Sequence, residues 1–334
     1  MPLSPSSSSP PSRLLIVKLS SLGDVVHTLP LIEALRLGLG PEVHLAWVVR
    51  KAFAPLVVNN PHLSAVHVLE EKSLSATLAF GKQLRAEHFD TALDPQGLFV
   101  SGLLTFLSGA PRRIGLDKNR EANKLFLTEA SIASTHRAHQ VEKLFGFCDV
   151  LGIARLVPRV QHYLVGDAPH EKTWVGCIIG ASTPDKTWPL AHWKALVAEL
   201  ETRGLVPVLL GGAGAEAEAA AQVALTCGGC LNLAGKTTLP ELAEALARCA
   251  VVIGADTGPL HLAVAVGTPV IGLYGVTDPA RTGPGWGPAP VVILDAVEKE
   301  APPESRRPRH GTIPDALARI SVEAVRDATL RLLS

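Results

Sequence analysis

The chain has 334 residues, 47% of them hydrophobic, which is enough to bury two packed cores. Lysine plus arginine and aspartate plus glutamate both number 31, so no global positive field gathers nucleic acid or an anionic membrane, and any such contact is local. No apolar run approaches the ~20 residues that span a bilayer and no signal-peptide pattern opens the chain, so the expected location is the cytoplasm.

Residues 1–12, MPLSPSSSSPPS, have almost nothing to bury and read as a disordered tail. Short β-branched runs then alternate with helical patterns: strand-like 14–18, 43–49, 65–69 and 91–94, followed by 175–180, 206–210, 231–233, 251–254 and 270–274. Helical stretches at 190–203, 214–226 and 239–249 separate the second series. Such alternation predicts an α/β chain with parallel sheets covered by helices, built twice. The expected domains are 13–165 and 175–312, facing each other across a cleft, with the polar stretch 166–174 as linker. Beyond 291–294 lies APPESRRPRH at 301–310, read as a solvated connector. The C-terminal helices within 313–334, the last opening at an N-cap on Ser321, are free to pack back on the N-terminal domain. Five scattered cysteines suit a reducing compartment better than a disulfide framework. The Cys227-Gly-Gly-Cys230 spacing lacks the second pair or nearby histidines of a zinc site, and a helix-to-strand turn explains it.

In open parallel sheets, ligands bind outside the carboxyl ends of strands, which selects four loops. In KLSSLGDVVHTLP at 18–30, Asp24 lies near a helix start, either as a carboxylate able to take a proton from a bound hydroxyl or as an N-cap. In GASTPDKTWP at 180–189, hydroxyls, amides, Lys186 and a helix N-terminus form either a phosphate cradle or an ordinary capped loop. GGAGAE at 211–216 is a weak match to the relaxed dinucleotide fingerprint, but the next strand offers no acid about 20 residues on, which argues against NAD. In GADTGPLH at 254–261, Asp256 ends a strand, Thr257 and Gly258 begin a helix, and His261 shares a helical face with Thr257.

Taken together, these loops resemble the ADP-heptose:lipopolysaccharide heptosyltransferases of glycosyltransferase family 9. RLLIVKLSSLGDVVHTLP at 13–30 is similar to that family's N-terminal motif, and DKTWP at 185–189, DTGPLH at 256–261 and YGVTDP at 274–279 match its donor-side motifs in order. The resemblance implies a GT-B fold of two Rossmann-like domains and an inverting, metal-independent transfer of heptose from ADP-heptose to a lipopolysaccharide-core or related glycolipid. It implies no cofactor beyond that nucleotide-sugar donor, and an acceptor met at the cytoplasmic face of the inner membrane. By the same carry-over Asp24 is the catalytic base. Ser182, Thr183, Lys186, Glu216, Asp256, Thr257, Gly258 and His261 bind the donor, and Ser21, Gly23, His27, Gln96 and Arg120 face the acceptor.

The likeness thins at LEEKSLSA, residues 69–76, where the family carries an Arg- and Lys-rich acceptor loop. Arg112, Arg113, Lys118, Arg120 and Lys124 offer an alternative basic cluster. Other readings are a glycosyltransferase with a different donor or acceptor, a non-catalytic nucleotide-sugar binding protein, a GT-B epimerase, or a Rossmann oxidoreductase.

Overall fold

The computed structural model describes residues 10–71, 73–117, 121–130, 138–166, 169–181, 183–275, 277–296 and 316–334. Two compact units result, Met1–Val157 and Pro158–Ser334.

The first unit is a six-stranded parallel sheet. Its central strand β1 (Arg13–Val17) pairs with β2 (His44–Arg50) on one side and β4 (Thr91–Asp94) on the other. Adding β3 (Ala65–Leu69), β5 (Arg112–Gly115) and β6 (Glu129–Ala130) gives the order β3-β2-β1-β4-β5-β6. Strands covered on both faces need apolar side chains throughout, and Leu14 to Val17 are fully buried. The helix α1 (Leu22–Leu39) follows β1; its residues from Val25 to Leu35 are all buried, so no polar face marks it in the sequence. It packs on α4 (Gln140–Leu151), while α2 (Leu74–Ala86) packs on α3 (Phe99–Leu107).

The second unit repeats the plan. Strands β7 (Glu171–Ile178), β8 (Val206–Leu210), β9 (Leu231–Asn232), β10 (Cys249–Ala255), β11 (Val270–Tyr274) and β12 (Val291–Asp295) stand in the order β12-β11-β10-β7-β8-β9. Helices α5 (Leu190–Glu201), α6 (Ala215–Ala224), α7 (Leu239–Arg248) and α8 (Gly258–Ala265) connect them, with the single turn α9 (Pro279–Thr282) before β12. Thr238 caps α7 and Glu241 closes the box by accepting from the Thr238 amide at 2.7 Å.

The expected strands are present, and β5 and β6 add to them. Both are short and carry no apolar run, β5 opening on two arginines, so periodicity gave no signal for either. The division between units falls at Val157–Pro158, ahead of the polar stretch 166–174. Residues past it already belong to the second sheet's surroundings: the Gln161 amide donates to Ala265 O at 2.8 Å. The tail reading narrows too, since Ser12 donates to Asp90 Oδ2 through its amide and hydroxyl (2.8 and 2.7 Å). Residues 1–9 and the 301–310 loop lie outside the described residues. The last helix, α10 (Val322–Leu333), packs within the second unit on α5 and β10–β12, and Trp188 Nε1 donates to Ile320 O just before it at 3.0 Å.

The structure corrects the cysteine reading. Cys227 and Cys230 form a disulfide across the turn from α6 to β9. Cys148, Cys177 and Cys249 are free and buried, and burial pushes the thiols of Cys148 and Cys249 up to about 12, which makes them inert core residues.

Trp193 is 1% exposed and meets Trp188 edge-on with ring centroids 4.9 Å apart, at the centre of the second core. Trp193→Ala should cost about 3–5 kcal/mol. Urea unfolding followed by circular dichroism would show it as a lower midpoint for the second unit's transition.

Candidate active site

In each sheet the chain turns from one winding direction to the other at the central strand pair, β1 with β4 and β7 with β10. A crevice opens beyond the carboxyl ends of such a pair, because the connections leave on opposite faces.

In the first unit that point holds Lys18, Asp24, Asp94 and Gln96. Lys18 follows β1 and is 2% exposed; its Nζ donates to Pro95 O at 3.2 Å and stands 3.6 Å from Asp24 Oδ1. Burial pushes the Lys18 ammonium down, while the charges of Asp24 and Asp94 work the other way. Ser21, not Asp24, is the N-cap of α1. Asp24 sits three positions on, and its Oδ2 accepts from the Ser21 amide (3.1 Å) and hydroxyl (2.8 Å). Its side chain stays 38% exposed, so the carboxylate is oriented yet reachable.

Gly23 lies in the first turn of α1 beside Asp24. Gln96 clamps the loop that carries Ser21: its Oε1 accepts from the amides of Leu19 (3.1 Å) and Ser20 (3.3 Å). Asp94 is buried and takes donors from Gln96 N, Gly97 N, Ser101 Oγ and Asn123 Nδ2. Its burial pushes the carboxyl up, against those four hydrogen bonds. His27 is 4% exposed and packs edge-on against His139 at 5.7 Å, where α1 meets α4.

In the second unit the polar residues gather around Asp256. Lys186 Nζ donates to Asp256 O (3.2 Å) and Oδ2 (3.3 Å), and Thr282 Oγ1 donates to Oδ2 at 3.1 Å. His261 Nε2 lies 3.2 Å from Oδ1. Burial pushes the Asp256 carboxyl up, but hydrogen bonding and charge from His261, the Lys186 ammonium and Thr277 outweigh it and hold the group well below the usual carboxylate range. Asp185, Lys186, Asp256, Gly275, Thr277 and Leu317 line a small recess here. Thr257 is the N-cap of α8 and Gly258 its first residue, with the helix dipole directed at this point. Thr183 Oγ1 is buried with no hydrogen-bond partner among the described residues.

Glu216 closes the Gly-rich loop from the first turn of α6, accepting from the Gly212 amide at 2.6 Å. Its side chain lies over Gly180, where an added Cβ would come within 2.3 Å of Glu216 Cγ. A larger residue there would push the Glu216 side chain aside.

Ser182, Lys118 and Arg120 lie outside the described residues. Two members of the expected basic cluster are taken up structurally: Arg112 forms a two-pronged pair with Glu129 (2.8 and 2.9 Å). Arg113 donates to Phe126 O and Ala110 O, and lies over the Phe106 ring. Sequence reading missed Lys18, whose signal is a cation ending an apolar strand. It also missed Thr282, which sits far along the chain from Asp256 with no local pattern to betray it.

The model of "Glycosyltransferase family 9 (heptosyltransferase)" matches residues 77–310. The chain belongs to that family. Lipopolysaccharide heptosyltransferase 1 of Escherichia coli K12 is 30% identical, over 82% of this chain and 91% of its own. The lipopolysaccharide core heptosyltransferase OpsX of Haemophilus influenzae is 27% identical over 82% of each. The E. coli heptosyltransferase WaaC solved with ADP superposes with a TM-score of 0.78 at 27% identity, over 96% of this chain and 99% of that one. The expected GT-B fold is borne out, and this family 9 member is a glycosyltransferase. Among the described residues no helix is long and apolar enough to cross a membrane.

Because the folded Asp256 carboxyl titrates below its ordinary 3.8, the stability it adds is full above that value and is lost as pH falls toward the folded one. Asp256→Asn should therefore lower the melting temperature at pH 7, with the gap to wild type narrowing from pH 4 to pH 3 in calorimetric scans.

Proposed function

We propose that this chain is an inverting heptosyltransferase that moves heptose from ADP-heptose to a lipopolysaccharide-core or related glycolipid acceptor. The observation that carries the reading is the reachable, oriented Asp24 carboxylate at the first unit's switch point, in a family 9 chain. The names of its relatives, and the solution of WaaC with an ADP-2-deoxy-2-fluoro heptose, support the donor assignment.

In this mechanism Asp24 takes the proton of the acceptor hydroxyl as that oxygen attacks the anomeric carbon. Attack comes from the face opposite the diphosphate, and the configuration inverts. A free aspartate, near pKa 3.9, is a weak base at neutral pH. The hydroxyl acidifies as it bonds to carbon, so concerted transfer relieves the mismatch.

Negative charge then grows on the departing diphosphate. Lys186, with the positive end of α8 behind Thr257 and Gly258, offsets it, and the reaction uses no metal ion. Asp256 and His261 fix Lys186 and the loop around it, Thr183 and Ser182 offer hydroxyls to the phosphates, and Glu216 meets the nucleoside. Ser21, Gly23 and Gln96 shape the acceptor side beside Asp24 and Arg120 contributes a cation to it, while His27, within α1, steadies the helix against His139. The acceptor is met at the cytoplasmic face of the inner membrane.

The test is turnover of ADP-heptose with a panel of Kdo-containing and other glycolipid acceptors, followed by ADP release and product mass. Asp24→Ala should cut acceptor-dependent release by about 10²–10⁴-fold while ADP still binds. Lys186→Ala should weaken ADP binding in calorimetry and slow turnover together. No binding of ADP-heptose by the wild-type protein would overturn the donor assignment; binding without transfer to any acceptor would favour a non-catalytic nucleotide-sugar binder.

A further inference from the structure

Burying a lysine ammonium is costly unless fixed partners replace its water. Lys18 is buried to 2% exposure at the end of β1, and it cannot shift to avoid that cost. Its amide donates to Val48 O at 3.2 Å and its carbonyl accepts from Trp47 Nε1 at 2.9 Å, so β2 holds both ends of its backbone. The ammonium has two neighbours at hand, Pro95 O and Asp24 Oδ1. Asp94, the other nearby carboxylate, already receives four hydrogen bonds from its own loop, from Ser101 and from Asn123. Those donors satisfy the Asp94 oxygens, and the carboxylate within ion-pair distance of the Lys18 ammonium is the half-exposed Asp24.

We propose that Lys18 is a positioning residue for the transfer reaction, its ammonium tying the Asp24 carboxylate to the Pro95 carbonyl of the loop that presents Gln96. The inference rests on the reading of Asp24 as the base. Asp24 is held from two sides: Ser21 fixes Oδ2 at the helix start, and Lys18 faces Oδ1 from the strand end. Because Gln96 grips Leu19 and Ser20, the same lysine links the residue that takes the proton to the loop on the acceptor side. A neutral side chain of the same length would fill the space and leave the carboxylate held from one side only.

A neighbouring carboxylate favours the charged ammonium, so removing Asp24 lowers the pH at which Lys18 gives up its proton. The other charged and imidazole side chains on the surrounding elements are Arg13 on β1, His44 and Arg50 on β2, Asp94 ending β4, His27, Glu33 and Arg36 on α1, and His139, Glu142, Lys143 and Asp149 at α4. All of them remain in the variants below.

The experiment compares kcat and KM in wild type, Lys18→Met and Lys18→Arg, and follows the Lys18 ammonium by nitrogen-15 NMR in wild type and Asp24→Asn. Lys18→Met should lower kcat by about tenfold or more and leave KM for ADP-heptose unchanged. Lys18→Arg, which keeps the cation, should retain most of the wild-type kcat. A folded Lys18→Met protein with wild-type kcat, or one whose KM for ADP-heptose rises in step with the fall in kcat, would overturn the proposal. Should Lys18→Met fail to fold, the reciprocal measurement decides. In Asp24→Asn, the Lys18 ammonium, read by nitrogen-15 NMR, should lose its proton at lower pH, and an unchanged Lys18 overturns the link. Full activity in Asp24→Asn sinks the base assignment itself, an outcome separate from either result on Lys18.

Discussion

A parallel sheet covered on both faces leaves few places where polar groups can meet a ligand. Every connection must cross a face, so the helices seal the sheet everywhere except where the winding reverses. At that point the strand ends, a helix N-terminus and the loops between them carry backbone dipoles that neighbouring strands do not satisfy. Both units of this chain use the order that places this reversal between the first and fourth strands of the sheet, and both gather their charged residues there. The rest of the structure, from the apolar α1 to the tryptophans at the start of α5, fills the cores from which those strand ends emerge.

The two sites are built with opposite polarity. In the first unit the buried partner is a lysine at the strand end, and the more accessible partner is Asp24. In the second the buried partner is Asp256 at the strand end, and the more accessible partner is Lys186. A buried charge cannot move without losing its partners, so in each case it acts as the fixed member and orients the other. An accessible carboxylate suits removal of a proton from a hydroxyl, and an accessible ammonium suits a diphosphate. The division of labour proposed for the two units thus follows from which member of each pair lies deeper.

Other charged residues contribute to architecture instead. Arg112 and Arg113 read in sequence as cations available to an anionic acceptor, yet one is paired with Glu129 and the other donates to backbone carbonyls while covering Phe106. Counting cations in a segment does not distinguish those with partners across the sheet edge from those without. Cys227 and Cys230 make the same point, since the count of cysteines argued against a disulfide and the turn geometry brings this pair together.

By itself the sequence determined the α/β class, the position of most strands and the four loops at their carboxyl ends, because burial on both faces demands unbroken apolar runs and polar loops must follow them. It also pointed to the family, through motifs such as KLSSLGD and DTGPLH whose combination in order is more specific than any one of them. Only the tertiary structure decided the partnerships. Lys18 with Asp24, Asp94 with Asn123, Glu216 over Gly180 and Thr282 with Asp256 join residues from different elements, and local periodicity carries no record of which strand end will face which. It also decided that Ser21 rather than Asp24 caps α1, since capping depends on where the backbone leaves its extended conformation. Such contacts follow from the strand order, which is fixed by the packing of the whole chain and not by any segment of it.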